Sequence, residues 1–249
     1  MSRPERHLSW DGCLNVRDLG GHATETGGTT RFGAVVRSDT VGRLTPEGWE
    51  ALVAYGVRTI VDLRLPEERT TPVPDDLPVT AVRVPLLPDF GHPDWHEINS
   101  LALRAEPPES TRLLYLEFLR RYRPAFGRAV AAIAAAEETI LVHCHAGKDR
   151  TGLVVALLLR VAGVPPEAIA ADYALSADNL RELHAEWIEA SASDEERGLR
   201  TRMAASPAAA MLGVLTELER GNGGAEGYLR EAGVSERELA RIRARLVDA

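Results

Sequence analysis

Short runs of apolar and β-branched residues alternate with longer amphipathic segments over the first 140 or so residues of the chain. The runs predict strands at residues 34–37, 59–63, 79–84 and 139–143. Helices are predicted between them at 46–55 and 112–136. The first of these helices has Thr45 as its N-cap and Pro46 at its first position. Strands that alternate with helices indicate an α/β fold with a mostly parallel sheet covered on both faces.

The pattern changes after this fourth strand. Residues 153–161 form a continuous apolar run, typical of a buried helix, and no strand is predicted from residue 151 onward. The C-terminal part is therefore expected to be helical, with a glycine-rich turn at 221–224. We expect a single domain over residues 1–249. Segment 87–111 lacks periodicity and is predicted to be an irregular insert, either a lid over the site or a structural loop.

Bulk composition excludes some classes of protein. A hydrophobic fraction of 45% is ample for a core, and a net charge of −8 argues against a nucleic-acid partner. No integral membrane segment and no Sec signal are predicted, and two cysteines do not make a disulfide scaffold. These features favour a cytoplasmic protein, with non-classical export and the oligomeric state left open.

One segment, residues 143–152, combines unusual residues. It holds the single lysine of the chain, Lys148, and one of the two cysteines, Cys144. A strand, a tight loop and a helix N-terminus form an anion site, because unpaired N–H groups and the helix dipole point at the ligand. The same dipoles would stabilise a thiolate at Cys144. Arg150, at the end of the loop, is suited to grip two oxygens of a phosphate group.

The segment also carries a family resemblance. Cys-x5-Arg followed by Thr resembles the phosphate loop of cysteine-dependent phosphatases, and the string HCHAGKDRTG at 143–152 resembles the bacterial and fungal tyrosine/serine phosphatase family. Other segments agree with this family in the same order, at 15–21, 37–39, 56–64 and 172–176. The resemblance implies a protein tyrosine phosphatase-like fold. It also implies metal-independent hydrolysis of phosphomonoesters, without a cofactor, through a cysteinyl-phosphate.

In this interpretation Cys144 is the nucleophile, and Arg150 stabilises the charge of the transition state. The residues expected to bind the substrate phosphate are His145, Ala146, Gly147, Lys148, Asp149 and Arg150. The resemblance makes Asp149 the general acid, with Asp89 and Asp94 of the insert as rival acids and a loop salt bridge as its alternative role. Thr151 would donate its hydroxyl group to the sulfur or simply begin the helix.

Three further positions near the loop have two interpretations each. Asp62, at the carboxyl edge of the sheet, would orient the loop or pair with Arg64. Lys148 would contact a second acidic group on the substrate or be a solvated cation. Cys13 is a candidate redox partner of Cys144 or an ordinary thiol. A metal site at residues 143–145 is not favoured, because adjacent residues seldom converge on one ion.

The expected substrate is a phosphotyrosine protein, with phosphoserine and phosphothreonine left open. The close alternative is a phosphoinositide or another small phosphate ester, because phosphoinositide phosphatases also carry lysine in this loop. A non-catalytic phosphate-binding module is the alternative of a different class.

Overall fold

A five-stranded sheet lies at the centre of the computed structural model, which describes residues 5–69 and 71–247. The strands are β1 (Arg17–Asp18), β2 (Val35–Ser38), β3 (Val57–Asp62), β4 (Thr80–Arg83) and β5 (Thr139–His143). Their order is β1-β2-β5-β3-β4, and every neighbouring pair is parallel except β1 with β2. The predicted α/β class is confirmed. Residues 1–4, 70 and 248–249 of the predicted domain lie outside this description.

Strand β5 occupies the middle of the sheet and is buried on both faces. Its Ile140 and Val142 pack into the larger of two apolar clusters, and Leu141 between them packs into the smaller one. The smaller cluster lies under helix α1 (Pro46–Ala54) and includes Trp49. A central strand that is covered on both sides has a continuous apolar sequence, as these residues do.

Ten further helices follow along the described part of the chain, and all of them except α7 and α8 contribute buried residues to the larger cluster. They are α2 (Asp94–Leu103), α3 (Glu109–Arg121), α4 (Arg123–Ala135), α5 (Asp149–Val161), α6 (Pro166–Asn179), α7 (Arg181–Glu189), α8 (Asp194–Ala204), α9 (Ala208–Asn222), α10 (Gly224–Glu231) and α11 (Glu236–Leu246). The predicted helical C-terminal part and the turn between α9 and α10 are confirmed within the described residues. Of the helices described, none combines the length and the apolar character that crossing a membrane requires.

Two predictions about the middle of the chain were wrong. The single helix expected at 112–136 is two helices, α3 and α4, because Pro124 lies in the first turn of α4 and cannot supply the N–H that a continuous helix needs. The segment 87–111 is not irregular, since it contains α2. Ile98 and Leu101 of α2 are buried, and the Tyr122 hydroxyl donates to Asp94 Oδ2 at 2.8 Å. These contacts hold the segment against α3.

Candidate active site

The loop between β5 and α5 lies at the carboxyl edge of the sheet, where ligand sites of α/β proteins are found. Strand β5 ends at His143 and α5 begins at Asp149, so five residues connect the strand to the N-terminus of the helix. Gly147 has a φ of +65°, and a Cβ atom there would lie 2.3 Å from the Ser38 carbonyl oxygen. Only glycine satisfies both the backbone angle and the close approach to β2.

Three successive carbonyl groups of this loop accept hydrogen bonds from outside it. The pairs are Thr40 N with His145 O at 2.9 Å, Asn15 Nδ2 with Ala146 O at 3.0 Å, and Arg37 Nη2 with Gly147 O at 2.8 Å. In a trans peptide the N–H group points away from the carbonyl group. The N–H groups of the next residues, Ala146, Gly147 and Lys148, therefore point toward the inner side of the loop. Such an arrangement of backbone amides binds anions.

A buried ion-pair cluster supports Arg37 behind the loop. Arg37 Nη1 lies 2.7 Å from Asp172 Oδ2, Arg17 Nε lies 3.1 Å from Asp172 Oδ1, and Arg6 also pairs with Asp172. Burial alone would raise the pKa of Asp172, but the arginines outweigh it and hold that pKa well below its usual range. Asp172 is therefore ionised. The buried carboxylate of Asp172 thus anchors Arg37, the residue that donates to the Gly147 carbonyl group.

Asn15 connects the same cluster to the loop. Its side-chain oxygen accepts from Arg17 Nη1 at 2.6 Å, and its backbone N–H donates to Asp39 at 3.0 Å. Its amide nitrogen then donates to the loop carbonyls. The segments 15–21, 37–39 and 172–176, which the sequence linked to the loop only by resemblance, thus converge on it in space. The roles of Asn15 and Arg37 were not predicted.

Cys144 is buried, with 2% of its surface exposed, and follows a fully buried histidine. His143 Nδ1 donates to the Cys144 carbonyl oxygen at 3.0 Å, and His143 Nε2 lies 3.6 Å from Asp62 Oδ1. Burial lowers the pKa of His143 to about 4, so its ring is neutral at pH 7. A neutral ring with its proton on Nδ1 orients the peptide group between Cys144 and His145.

Asp62 lies beside His143 and is held by Arg64. Its carboxylate accepts from the backbone N–H and the Nε of Arg64, both at 3.0 Å, and from Arg64 Nη2 at 2.9 Å. Burial raises the pKa of Asp62, but these hydrogen bonds and the nearby charges hold it below its usual range. Asp62 therefore pairs with Arg64, which is one of the two roles considered for it above. It also lies next to His143, the residue that precedes Cys144.

Arg150 forms a two-point ion pair with Glu68, a residue that sequence reasoning missed. Arg150 Nη2 lies 2.6 Å from Glu68 Oε1, and Arg150 Nη1 pairs with Glu68 Oε2. Burial opposes the positive charge, but Glu68 outweighs it and raises the pKa of Arg150. The two residues are 82 positions apart, so no local pattern could indicate the pair.

Lys148 is buried, with 4% of its surface exposed, so the alternative of a solvated loop cation is wrong. Its ammonium group donates to the carbonyl oxygens of Met203 and, at 3.2 Å, Ala205. It also lies 3.5 Å from Asp149 Oδ1. Lys148 therefore joins the loop to the end of α8. Asp149 in turn accepts from the hydroxyl group of Tyr115 on α3.

Two polar side chains considered above make no bond to Cys144. The Thr151 hydroxyl is buried and has no hydrogen-bond partner among the described residues. The Cys13 thiol lies 3.6 Å from the Thr40 carbonyl oxygen, and burial together with Asp39 raises its pKa to about 12. Both cysteines are free thiols. In the described part of the chain, no group of three His, Cys, Asp or Glu side chains is placed to hold a metal ion.

A cavity of about 370 Å³ opens beside the carboxyl-terminal end of the loop, and its wall is mostly apolar. Lys148 of the loop and the first two residues of α5, Asp149 and Arg150, form one side of it. The other walls come from segment 87–111, from α3 and from α8, and include Leu87, Phe90, Trp95, Ile98, Leu103, Leu114, Tyr115, Phe118, Leu199, Arg202 and Met203. The segment 87–111 thus borders the space next to Asp149.

Comparison with known proteins agrees with this geometry. Residues 8–248 match the model of the tyrosine phosphatase family. The chain is 34% identical over 234 residues to a tyrosine-protein phosphatase of Nostoc commune, with 87% of this chain and 75% of the relative covered. It is 31% identical to the triple specificity protein phosphatase PtpB of Mycobacterium tuberculosis, with 93% of this chain and 96% of the relative covered. The chain therefore belongs to the tyrosine phosphatase family and is a protein-tyrosine phosphatase.

Proposed function

We propose that this phosphatase hydrolyses phosphotyrosine in proteins through a cysteinyl-phosphate on Cys144. The observation that carries the proposal is the loop itself: three outward-turned carbonyl groups leave the backbone amides free for a tetrahedral anion, with Cys144 before them and Arg150 after them in the chain. The neighbouring apolar cavity has room for an aromatic ring. Together they fit a phosphate ester whose leaving group is a phenol.

In the first step, the Cys144 sulfur attacks phosphorus and the bond from phosphorus to the tyrosyl oxygen breaks. The departing oxygen takes a proton from Asp149. Negative charge spreads over the three remaining phosphoryl oxygens, where the loop amides and Arg150 stabilise it. Glu68 supports this step because it fixes the orientation of the Arg150 guanidinium group.

In the second step, a water molecule attacks phosphorus and gives one proton to the Asp149 carboxylate. The sulfur–phosphorus bond breaks, inorganic phosphate is released and the Cys144 thiolate is regenerated. The buried Thr151 hydroxyl is proposed to donate to the sulfur as it leaves, which would make it a better leaving group. Asp62 acts as a positioning residue through Arg64, whose Nη1 donates to Thr40 Oγ1 at 2.8 Å. The Thr40 N–H donates in turn to the loop carbonyl group of His145.

Asp149 is preferred to Asp94 as the general acid. Asp94 accepts from the Tyr122 hydroxyl and pairs with Arg121, and these contacts hold its pKa below the usual range. Asp149 borders the cavity, whereas the rival acids Asp89 and Asp94 are not part of its wall.

The charges around the cavity favour a phosphotyrosine over a phosphoinositide. Among the described residues, three cations line the cavity, and each already has an acceptor: Lys148 has the α8 carbonyl groups, Arg150 has Glu68 and Arg202 has Glu106. A polyphosphorylated head group would need cations that are free to bind additional phosphates. An aromatic leaving group needs an apolar wall, which the cavity supplies.

Initial rates on a phosphotyrosine peptide and on a phosphoinositide, each in the presence of chelator, test this proposal. We expect chelator-resistant turnover of the peptide at a higher kcat/KM than that of the lipid, and its loss in Cys144→Ser. Cys13→Ser is the matched control and should keep wild-type rates. A higher kcat/KM on the phosphoinositide would overturn the substrate class. Phosphate binding without any turnover would instead identify a binding module.

A further inference from the structure

The hydroxyl group of Tyr115 lies against the carboxyl group of Asp149, although the two residues are 34 positions apart in the chain. Tyr115 is fully buried on α3, and its hydroxyl oxygen lies 2.8 Å from that of Tyr173 on α6. The two rings pack edge to face, with centroids 6.0 Å apart. Two helices far apart in sequence thus converge on the first residue of α5.

The hydrogen bonds that link Tyr173, Tyr115 and Asp149 all have the same donor-to-acceptor direction. The Tyr115 hydroxyl donates its single proton to Asp149 Oδ1, so its oxygen accepts from the Tyr173 hydroxyl. Hydrogen bonds in such a chain polarise and strengthen one another. Burial and the Asp149 charge raise the pKa of Tyr115 well above its ordinary value, so Tyr115 remains a donor throughout an ordinary enzyme assay.

Resting on the proposed role of Asp149, we propose that Tyr115 is a positioning residue that holds the Asp149 carboxyl group for proton transfer to the leaving group. Both described contacts of this carboxyl group, to the Tyr115 hydroxyl and to Lys148 Nζ at 3.5 Å, are made by Oδ1. Oδ2 is therefore the oxygen that carries the transferred proton. With Oδ1 anchored, the carboxyl group cannot rotate freely, and about 40% of the side chain stays exposed beside the cavity.

Several charged and titratable groups surround Asp149. Lys148 and Arg150 approach from the loop and from α5, and Tyr115, Tyr173 and His184 approach from α3, α6 and α7. Of these groups, only the Tyr115 hydroxyl donates a hydrogen bond to the carboxyl group among the described contacts. Removing this hydroxyl would release Oδ1 and let the carboxyl group leave the orientation that proton transfer needs.

The variant Tyr115→Phe tests this role with two aryl phosphates, phenyl phosphate and p-nitrophenyl phosphate. On phenyl phosphate we expect kcat at the maximum of its pH profile to fall about tenfold, with KM within about twofold of wild type. The fall should be smaller on p-nitrophenyl phosphate, because its leaving group needs little help from an acid.

Tyr228→Phe is the matched control, because its buried hydroxyl donates to the Leu119 carbonyl oxygen at 2.8 Å and has no contact with Asp149. It should keep the wild-type profile. In an Asp149→Asn background, Tyr115→Phe should change kcat by no more than about twofold, because the group that it positions is gone.

Two results would separate failure of this inference from failure of the proposed function. An unchanged kcat on phenyl phosphate, or equal losses on both substrates, would overturn the role of Tyr115 and leave Asp149 as the acid. A basic limb that survives in Asp149→Asn would overturn the assignment of Asp149, and the role of Tyr115 with it.

Discussion

Replacing Glu68 with Gln removes one negative charge beside Arg150 and leaves the size of the side chain almost unchanged. In the wild-type protein, both oxygens of Glu68 accept from the terminal nitrogens of Arg150, and Glu68 Oε2 also accepts from the Leu65 N–H at 2.8 Å. Glutamine has only one side-chain oxygen. At least one of these N–H groups would then face an amide donor, so the guanidinium group would lose a contact and its support.

The size of the effect follows from burial. Only 12% of the Arg150 side chain and 11% of the Glu68 side chain are exposed, so water cannot replace the lost contact fully. Because a hydrogen bond to a charged group contributes about 1.5–3 kcal/mol, we expect Glu68→Gln to lower the free energy of unfolding at pH 7 by about 2–3 kcal/mol. We expect kcat/KM to fall about 10- to 100-fold, since Arg150 would no longer be held for the transition state.

This loss of stability should depend on pH. Burial raises the pKa of Glu68, but the hydrogen bonds and the charge of Arg150 outweigh it and hold that pKa below its ordinary value of 4.5. A carboxyl group whose pKa is lowered by folding contributes stability that is present above its unfolded pKa and is lost as the pH falls through the folded pKa. The difference in unfolding free energy between wild type and Glu68→Gln should therefore shrink below pH 4.5.

Urea unfolding at several pH values and kcat/KM on an aryl phosphate measure these effects. Glu67→Gln is the control, because Glu67 is the exposed neighbouring carboxylate and should change stability by less than about 0.5 kcal/mol. If Glu68→Gln matched this control in stability and in kcat/KM, the ion pair would not support Arg150 and the argument would fail.

Two further predictions concern the loop backbone. Asn15→Ala, made in a Cys144→Ser background, should weaken the binding of inorganic phosphate about tenfold in calorimetry, because the carbonyl group of Ala146 loses its donor. Asn179→Ala removes a hydrogen bond to Asn15 Oδ1 and should change phosphate affinity less. Equal losses of affinity in the two variants would contradict the role of the Asn15 side-chain amide. Gly147→Ala should abolish turnover and lower the melting temperature, since its Cβ atom would lie 2.3 Å from a β2 carbonyl oxygen. Wild-type turnover in Gly147→Ala would show that the loop tolerates another backbone path.

Local sequence was enough to predict most of the secondary structure. The apolar run after residue 152 forms the buried part of α5, and the Thr45–Pro46 pair begins α1, where the Thr45 hydroxyl accepts from the Gly48 N–H. Both signals depend on neighbours within one helical turn. Helix α2 was missed because its fold depends on packing: a short helix gains most of its stability from the apolar face that it buries, here against α3.

The sequence likewise predicted an anion site where the strand, the loop and the start of the helix follow one another. The N–H groups without intrahelical partners at a helix N-terminus are a local property of the chain. This local segment placed Cys144 and Arg150 at the two ends of one loop. The resemblance of the segment to a known family then indicated a phosphatase, and comparison with known proteins confirmed it.

What only the tertiary structure decided is how that loop is held. Asn15 is 131 residues from the carbonyl group to which it donates, Arg37 is 110 residues from its own, and Glu68 is 82 residues from Arg150. No sequence period connects such pairs, because they meet only when the sheet and the segments around it have folded. The residues that can perform the chemistry follow one another in the chain. The direction in which each of them points is set by side chains that only the folded sheet brings near.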